Sequence, residues 1–207
     1  MQNSHETHES QPWFEPFAAG FAAWFGTDGA PPRDHAIAVP LLAKAASLGH
    51  GGSALLLDTV LYELSADASA RSDERGARTL ARLALAYRTA AFWSDNDPDV
   101  EPDHENAEQW NRARATPYEP RLWAAIDALQ NDPIAALNLF EALALDGHPV
   151  QAFFLAGLAA EEAADRAQAP GEVDRLMQRA RHNLIRSASA GNRAAQKRLF
   201  AHLNLKA

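Results

Sequence analysis

Cysteine is absent from the 207 residues. That absence excludes disulfides, thiolate metal sites and a cysteine nucleophile. No apolar run approaches the ~20 residues that a bilayer-spanning helix needs. The opening MQNSHETHES has neither the basic start nor the apolar core of a secretory signal. The expectation is a cytoplasmic protein of bacterial type, with no membrane partner. No phosphate-cradling glycine loop and no GxSxG elbow occur. The serines stand without a positioned base, and Glu161 and Glu162, adjacent on a helix, are not expected to face each other. No catalytic residue, metal or cofactor is therefore expected. Glycine is scarce, at 11 residues, so the places where it recurs carry information.

The chain is 47% hydrophobic and 22% charged, which suffices for a packed core. The apolar residues recur at helical spacing on both sides of Gly49, Gly147 and Gly191. Eleven residues before each glycine stands Ala38, Ala136 or Ala180; seven before, Leu42, Phe140 or Leu184; three before, Ala46, Ala144 or Ala188. Eight after stands Leu57, Leu155 or Leu199, and twelve after, Leu61, Ala159 or Leu203. Glycine at the junction suits a left-handed helix C-cap. Each stretch reads as a helical hairpin. One hairpin cannot bury its apolar face alone, so the units should stack as a short α-solenoid. The small residues fall where two helices approach closely and the large ones where the gap must be filled.

LAKAASLGH followed by a leucine-bearing helix resembles the Sel-one-like repeat, a relative of the tetratricopeptide repeat. Gly20 and Gly26 are spaced like that family's LGxxYxxG helix end, and the run Gly29 to Ala36 is similar to its GVPxDxxxA turn. Later units depart from the pattern: Asn192 stands where a histidine is usual, Gly157 falls one place late, and no clear glycine marker occurs between Gly49 and Gly147. Many members of the family are exported and rich in disulfides, unlike this chain. The resemblance implies an all-α, right-handed solenoid of antiparallel hairpins that holds other proteins, and it carries over no catalytic residue.

In chain order the units expected are a polar tail over 1–11, an aromatic N-terminal helix over 12–25, a hairpin over 34–64, a degenerate unit over 74–130, a hairpin over 133–166 and a C-terminal hairpin over 172–205. Phe17, Phe21 and Trp24 share one face of the first helix, which either covers the end of the array or anchors a partner. Asp34 and Asp132 are placed as helix N-caps. Pro40 should kink its helix or delay its start. The polar run Tyr62 to Asp73 reads as a helix breaker, and Ala169-Pro170-Gly171 as a linker. Leu80, Leu83, Tyr87 and Ala91 form a stripe on the next helix, with Arg75, Arg78, Arg82 and Arg88 standing off it.

The net charge of −8 is unevenly spread. Asp95 to Glu105 is acidic throughout, whereas the chain from Gly171 onward is basic, and such asymmetry steers charged partners. The alternating acids do not make a calcium loop: the sixth position is Val100 instead of glycine and the twelfth is Asn106 instead of glutamate. His5 and His8 lack the HExxH spacing of a zinc site. His50 and His148, just past the hairpin glycines, suit capping of the preceding helix or a surface role.

The overall acidity argues against a nucleic-acid partner. A protein or peptide partner is the expectation. The positions off the packing stripe of the first hairpin helices are Lys44, Asn138, Arg179, His182 and Arg186, with Glu141 bordering the same face. They would line a polar groove that grows basic toward the C-terminus. The alternative is an immunity-type inhibitor whose acidic segment, with Trp110, covers a basic active site on a toxin.

Overall fold

The computed structural model describes residues 11–26, 34–93 and 120–204, without the side chains of 203 and 204. Among these residues there are nine helices and no strand. They are α1 (Phe14–Phe25), α2 (His35–Ser47), α3 (Gly51–Ala70), α4 (Glu74–Ala91), α5 (Pro120–Asn131), α6 (Pro133–Leu145), α7 (Pro149–Arg166), α8 (Pro170–Ser189) and α9 (Arg193–Asn204). Neighbouring helices pack in chain order, and α4 additionally packs on α7.

The three marker glycines are left-handed, with φ of +96° at Gly49, +118° at Gly147 and +103° at Gly191. At the first turn Gly49 N–H donates to Ala46 O and His50 N–H to Ala45 O. Gly191 and Asn192 repeat this with Ala188 O and Ser187 O. The doubled bond satisfies two carbonyls that a helix end otherwise leaves open. A fourth turn joins α3 to α4 by the same bonds, Ser72 N–H to Ser69 O and Asp73 N–H to Ala68 O. Its left-handed residue is Ser72, at φ +63°. A side chain in this region is strained by about 1–2 kcal/mol. Gly191→Ala is therefore expected to lose about 1 kcal/mol, while Ser72→Gly should leave stability unchanged or raise it. Urea midpoints check both; a loss at Ser72→Gly as large as at Gly191→Ala would refute the common turn.

The registers before the glycines are buried as the spacing requires. Ala38, Ala136, Ala180, Leu42, Phe140 and Leu184 are fully enclosed. Ala188 and Leu199 are only half-buried. Gly157 makes the closest approach: a Cβ there would lie 2.8 Å from Leu184 Cγ and Cδ2, so α7 and α8 meet through a missing side chain.

Three expectations are corrected, and a fourth is narrowed. The run Tyr62 to Asp73 breaks the helix only at its end: α3 continues to Ala70, the turn falls on Arg71 to Asp73, and Ser65 Oγ donates to Ala77 O on α4 at 2.8 Å. Pro170 and Gly171 are the first turn of α8, where a proline's missing N–H costs nothing. Of the two outcomes open for Pro40, the delayed start does not occur: α2 starts at His35, capped by Asp34, which accepts from Ile37 N–H, and Pro40 lies inside the helix. Arg82 does not stand off its stripe but is buried, 6% exposed. Asp132 caps α6 as expected, accepting from Ala135 N–H at 3.0 Å. On α1, Trp24 is buried and Phe17 half-buried, while Phe21, on the same face, is exposed. The tail over 1–10, the acidic segment 95–105 and Trp110 lie outside the described residues.

Candidate functional site

Helix α7 is apolar on almost every side, and every residue from Gln151 to Ala164 is buried. A helix of that kind is enclosed by neighbours, so a charge on it needs a partner whichever way it points. Glu161 and Glu162 lie in this stretch. Consecutive helical residues are turned by about 100°, and the two carboxylates meet different neighbours.

Glu162 is 1% exposed and meets α4. It accepts from Arg82 Nη1 at 2.7 Å, from Thr79 Oγ1 at 2.8 Å and from Arg166 Nε at 2.9 Å. Glu161 meets α9: Arg198 Nε donates to its Oε1 at 2.8 Å, and His202 Nε2 lies 2.8 Å from the same oxygen. Arg82 Nε reaches Glu161 Oε2 at 3.4 Å, and Arg82 Nη1 donates to Asp165 Oδ2 at 2.8 Å. One buried guanidinium thus touches three carboxylates, and the fork of arginine suits several acceptors at once.

Burial pushes the Glu161 carboxyl up, but hydrogen bonds from His202 and Arg198 and the field of Arg198 and Arg82 outweigh it and hold the group at about 2. Asp165 is likewise held below the ordinary carboxylate range, its burial outweighed by Arg82 and Arg78. Arg82 is raised, burial opposing and Glu161, Asp165 and Glu162 prevailing. A carboxylate depressed in the fold contributes stability above its unfolded value and loses it as pH falls through the folded value. For Glu161 that window runs from its ordinary 4.5 down to about 2. Stability should therefore fall through this range, and less steeply in Glu161→Gln. Denaturation midpoints between pH 5 and pH 2 check it; parallel slopes in the two proteins would refute it.

The cluster forms one wall of a cavity of about 440 Å³ between α4, α7, α8 and α9. Arg82, Glu161, Asp165, Arg181, Arg198 and His202 line it, with Met177 and Ala201. Among the described residues no group of three or more histidines and acids is arranged to hold a metal ion.

The residues singled out by sequence are distributed differently. Asn138, Glu141 and Arg179 come together: Arg179 Nε donates to Glu141 Oε1 at 2.9 Å and Arg179 Nη2 to Asn138 Oδ1 at 2.8 Å. Asn183 Nδ2 adds a bond to Glu141 at 2.8 Å. Burial raises the Glu141 carboxyl, and Arg179 and Asn183 bring it below the ordinary range. The Arg186 guanidinium lies 3.8 Å over the Phe153 ring. His182 is exposed on the same helix, α8, whereas Lys44 is exposed on α2, which packs on α1 and α3. His50 stacks on Trp13 with centroids 4.1 Å apart, and its Nδ1 is 2.8 Å from Ser53 Oγ. His148 lies beside Trp93. Asn192, the residue after Gly191, caps α9 by accepting from Ala195 N–H at 3.0 Å.

Spacing alone missed Arg82, Glu161, Glu162, Arg198 and His202. The readable signal was the all-round apolar composition of α7. Compared with protein-family models, curated proteins and solved structures, the chain matches none.

Proposed function

We propose that the chain is a non-enzymatic helical scaffold of the Sel-one-like, tetratricopeptide-related kind, with its hairpins stacked as a right-handed solenoid that holds a protein or peptide partner. The observation that supports this reading is the recurrence of one turn, with its left-handed glycine and equivalent buried registers, at Gly49, Gly147 and Gly191. A repeat array presents its helices as an extended surface on which polar side chains are free to meet a partner. On that surface Arg179 is engaged by Glu141 and Arg186 by the Phe153 ring, so Lys44 and His182 are the better probes.

The test is affinity capture with the immobilised chain, followed by identification and binding measurement of what it retains. Lys44→Glu and His182→Glu together should abolish capture of the partner with little change in thermal stability, since exposed charges contribute about 0–1 kcal/mol. Unchanged capture would remove the groove. Unchanged capture that is instead lost when Asp97, Asp99 and Glu101 are neutralised would establish the inhibitor reading, in which the acidic segment makes the contact.

A further inference from the structure

We propose that the cavity between α4, α7, α8 and α9 binds an acidic peptide, seating a peptide carboxylate on Arg181 and a neighbouring peptide N–H on His202. The inference rests on the scaffold reading and gives it a second, more specific site than the polar face of α6 and α8.

Three observations converge on this cavity. The first is charge. Arg78, Arg82, Arg166, Arg181 and Arg198 are gathered on and around Glu161, Glu162 and Asp165. The carboxylates are outnumbered, so the region attracts an anion. The second is Arg181. It is half-buried on the cavity wall and, among the described residues, has no hydrogen-bond or ion-pair partner. Arg82 and Arg198 on the same wall are both engaged by Glu161. A guanidinium presents a planar fork that matches a carboxylate.

The third is His202. Its ring is largely enclosed, with 10% of the side chain exposed, and it lines the cavity. Nε2 is committed to Glu161, while Nδ1 is buried with no partner. Glu161 is held ionised and can only accept, so Nε2 carries the proton. In the neutral ring Nδ1 is then a lone pair, a buried acceptor that is costly to leave unmet. It calls for a donor from outside the chain. A peptide supplies both halves, an anionic oxygen for Arg181 and a backbone N–H for His202. A simple carboxylate supplies only the first, and phosphate, whose P–O–H can donate, is separated from a peptide by the titration. The volume of about 440 Å³ falls in the ~300–1,000 Å³ range of ligand pockets.

The full chain is titrated with three probes: a blocked tetrapeptide carrying two central glutamates, an alanine tetrapeptide with a free C-terminus, and inorganic phosphate. Calorimetry gives affinity, and the His202 imidazole resonances, assigned with His202→Gln, report occupancy. The blocked glutamate peptide should bind saturably and shift the His202 signals. Arg181→Gln should weaken it about tenfold or more, as loss of a charged hydrogen bond does, without lowering thermal stability, because Arg181 has no partner among the described residues. If the free C-terminus peptide binds instead, the same carboxylate chemistry serves a chain end, and the assignment to a side chain is overturned. Phosphate binding without either peptide, no His202 shift, or equal affinity in Arg181→Gln would overturn the site. The scaffold reading survives those outcomes if the chain still captures its partner through the α2 and α8 positions, so the two failures are distinguishable.

Discussion

Arg82→Met should destabilise the fold by about 3–5 kcal/mol, the usual cost of breaking a buried ion pair from one side. The substitution keeps an apolar side chain of similar length, so packing on α4 survives. It leaves three carboxylates without their shared cation. Glu162 keeps Thr79 and Arg166, and Glu161 keeps Arg198 and His202. Both remain buried, and a buried charge with incomplete pairing is more costly than one never placed there. Arg78→Met is the control. Arg78 is half exposed and bonds only the rim carboxylate Asp165, at 3.0 Å. Its loss should lie within about 1 kcal/mol. Urea denaturation separates the two; equal effects would mean that solvent screens the cluster.

Phe140→Ala carries the second large effect, about 3–5 kcal/mol for a fully enclosed phenylalanine. Phe140 on α6 occupies the register held by Leu42 and Leu184 in the other hairpins, and no part of it is exposed. It is the largest residue at that register, and its removal opens a space that close-packed neighbours fill only in part. Denaturant midpoints should fall further for Phe140→Ala than for Leu42→Ala. The reverse order would show that α6 is the more loosely packed helix.

The two predictions differ in how readable they were. Phe140 followed from spacing, because a helical face repeats every three to four residues whatever surrounds it. Gly49, Gly147 and Gly191 followed for a similarly local reason, since a left-handed turn selects glycine. The turn at Ser72 was hidden because its bonds are backbone bonds and its residue breaks the local preference. Arg82, Glu161 and Glu162 were hidden for a tertiary reason. Adjacent glutamates suggest a solvated face, but α7 has no solvated face over this stretch. Ala164 illustrates the same point. Its position beyond the hairpin register suggests exposure, and it is 5% exposed.

The polar face read from Asn138, Glu141, Arg179 and Arg186 was half legible. Spacing placed these residues off the core, and they are off it. It did not reveal that Arg179, Glu141, Asn138 and Asn183 bond one another between α6 and α8. Side chains that satisfy one another stiffen a surface and leave less of it for a partner. The cavity lined by Arg181 and His202 is the opposite case, with groups the fold leaves unmet.

A buried charge cluster joins α4 to α7 and shapes the cleft beside it. A double-mutant cycle across Arg82 and Glu162, with Arg82→Met, Glu162→Leu and the double variant compared in urea, tests it most directly. Residues sharing one such network couple by about 0.5–3 kcal/mol. A coupling in the upper half of that range is predicted, with the double variant more stable than Arg82→Met alone. Additive losses, with the double variant the least stable of the set, would contradict the account.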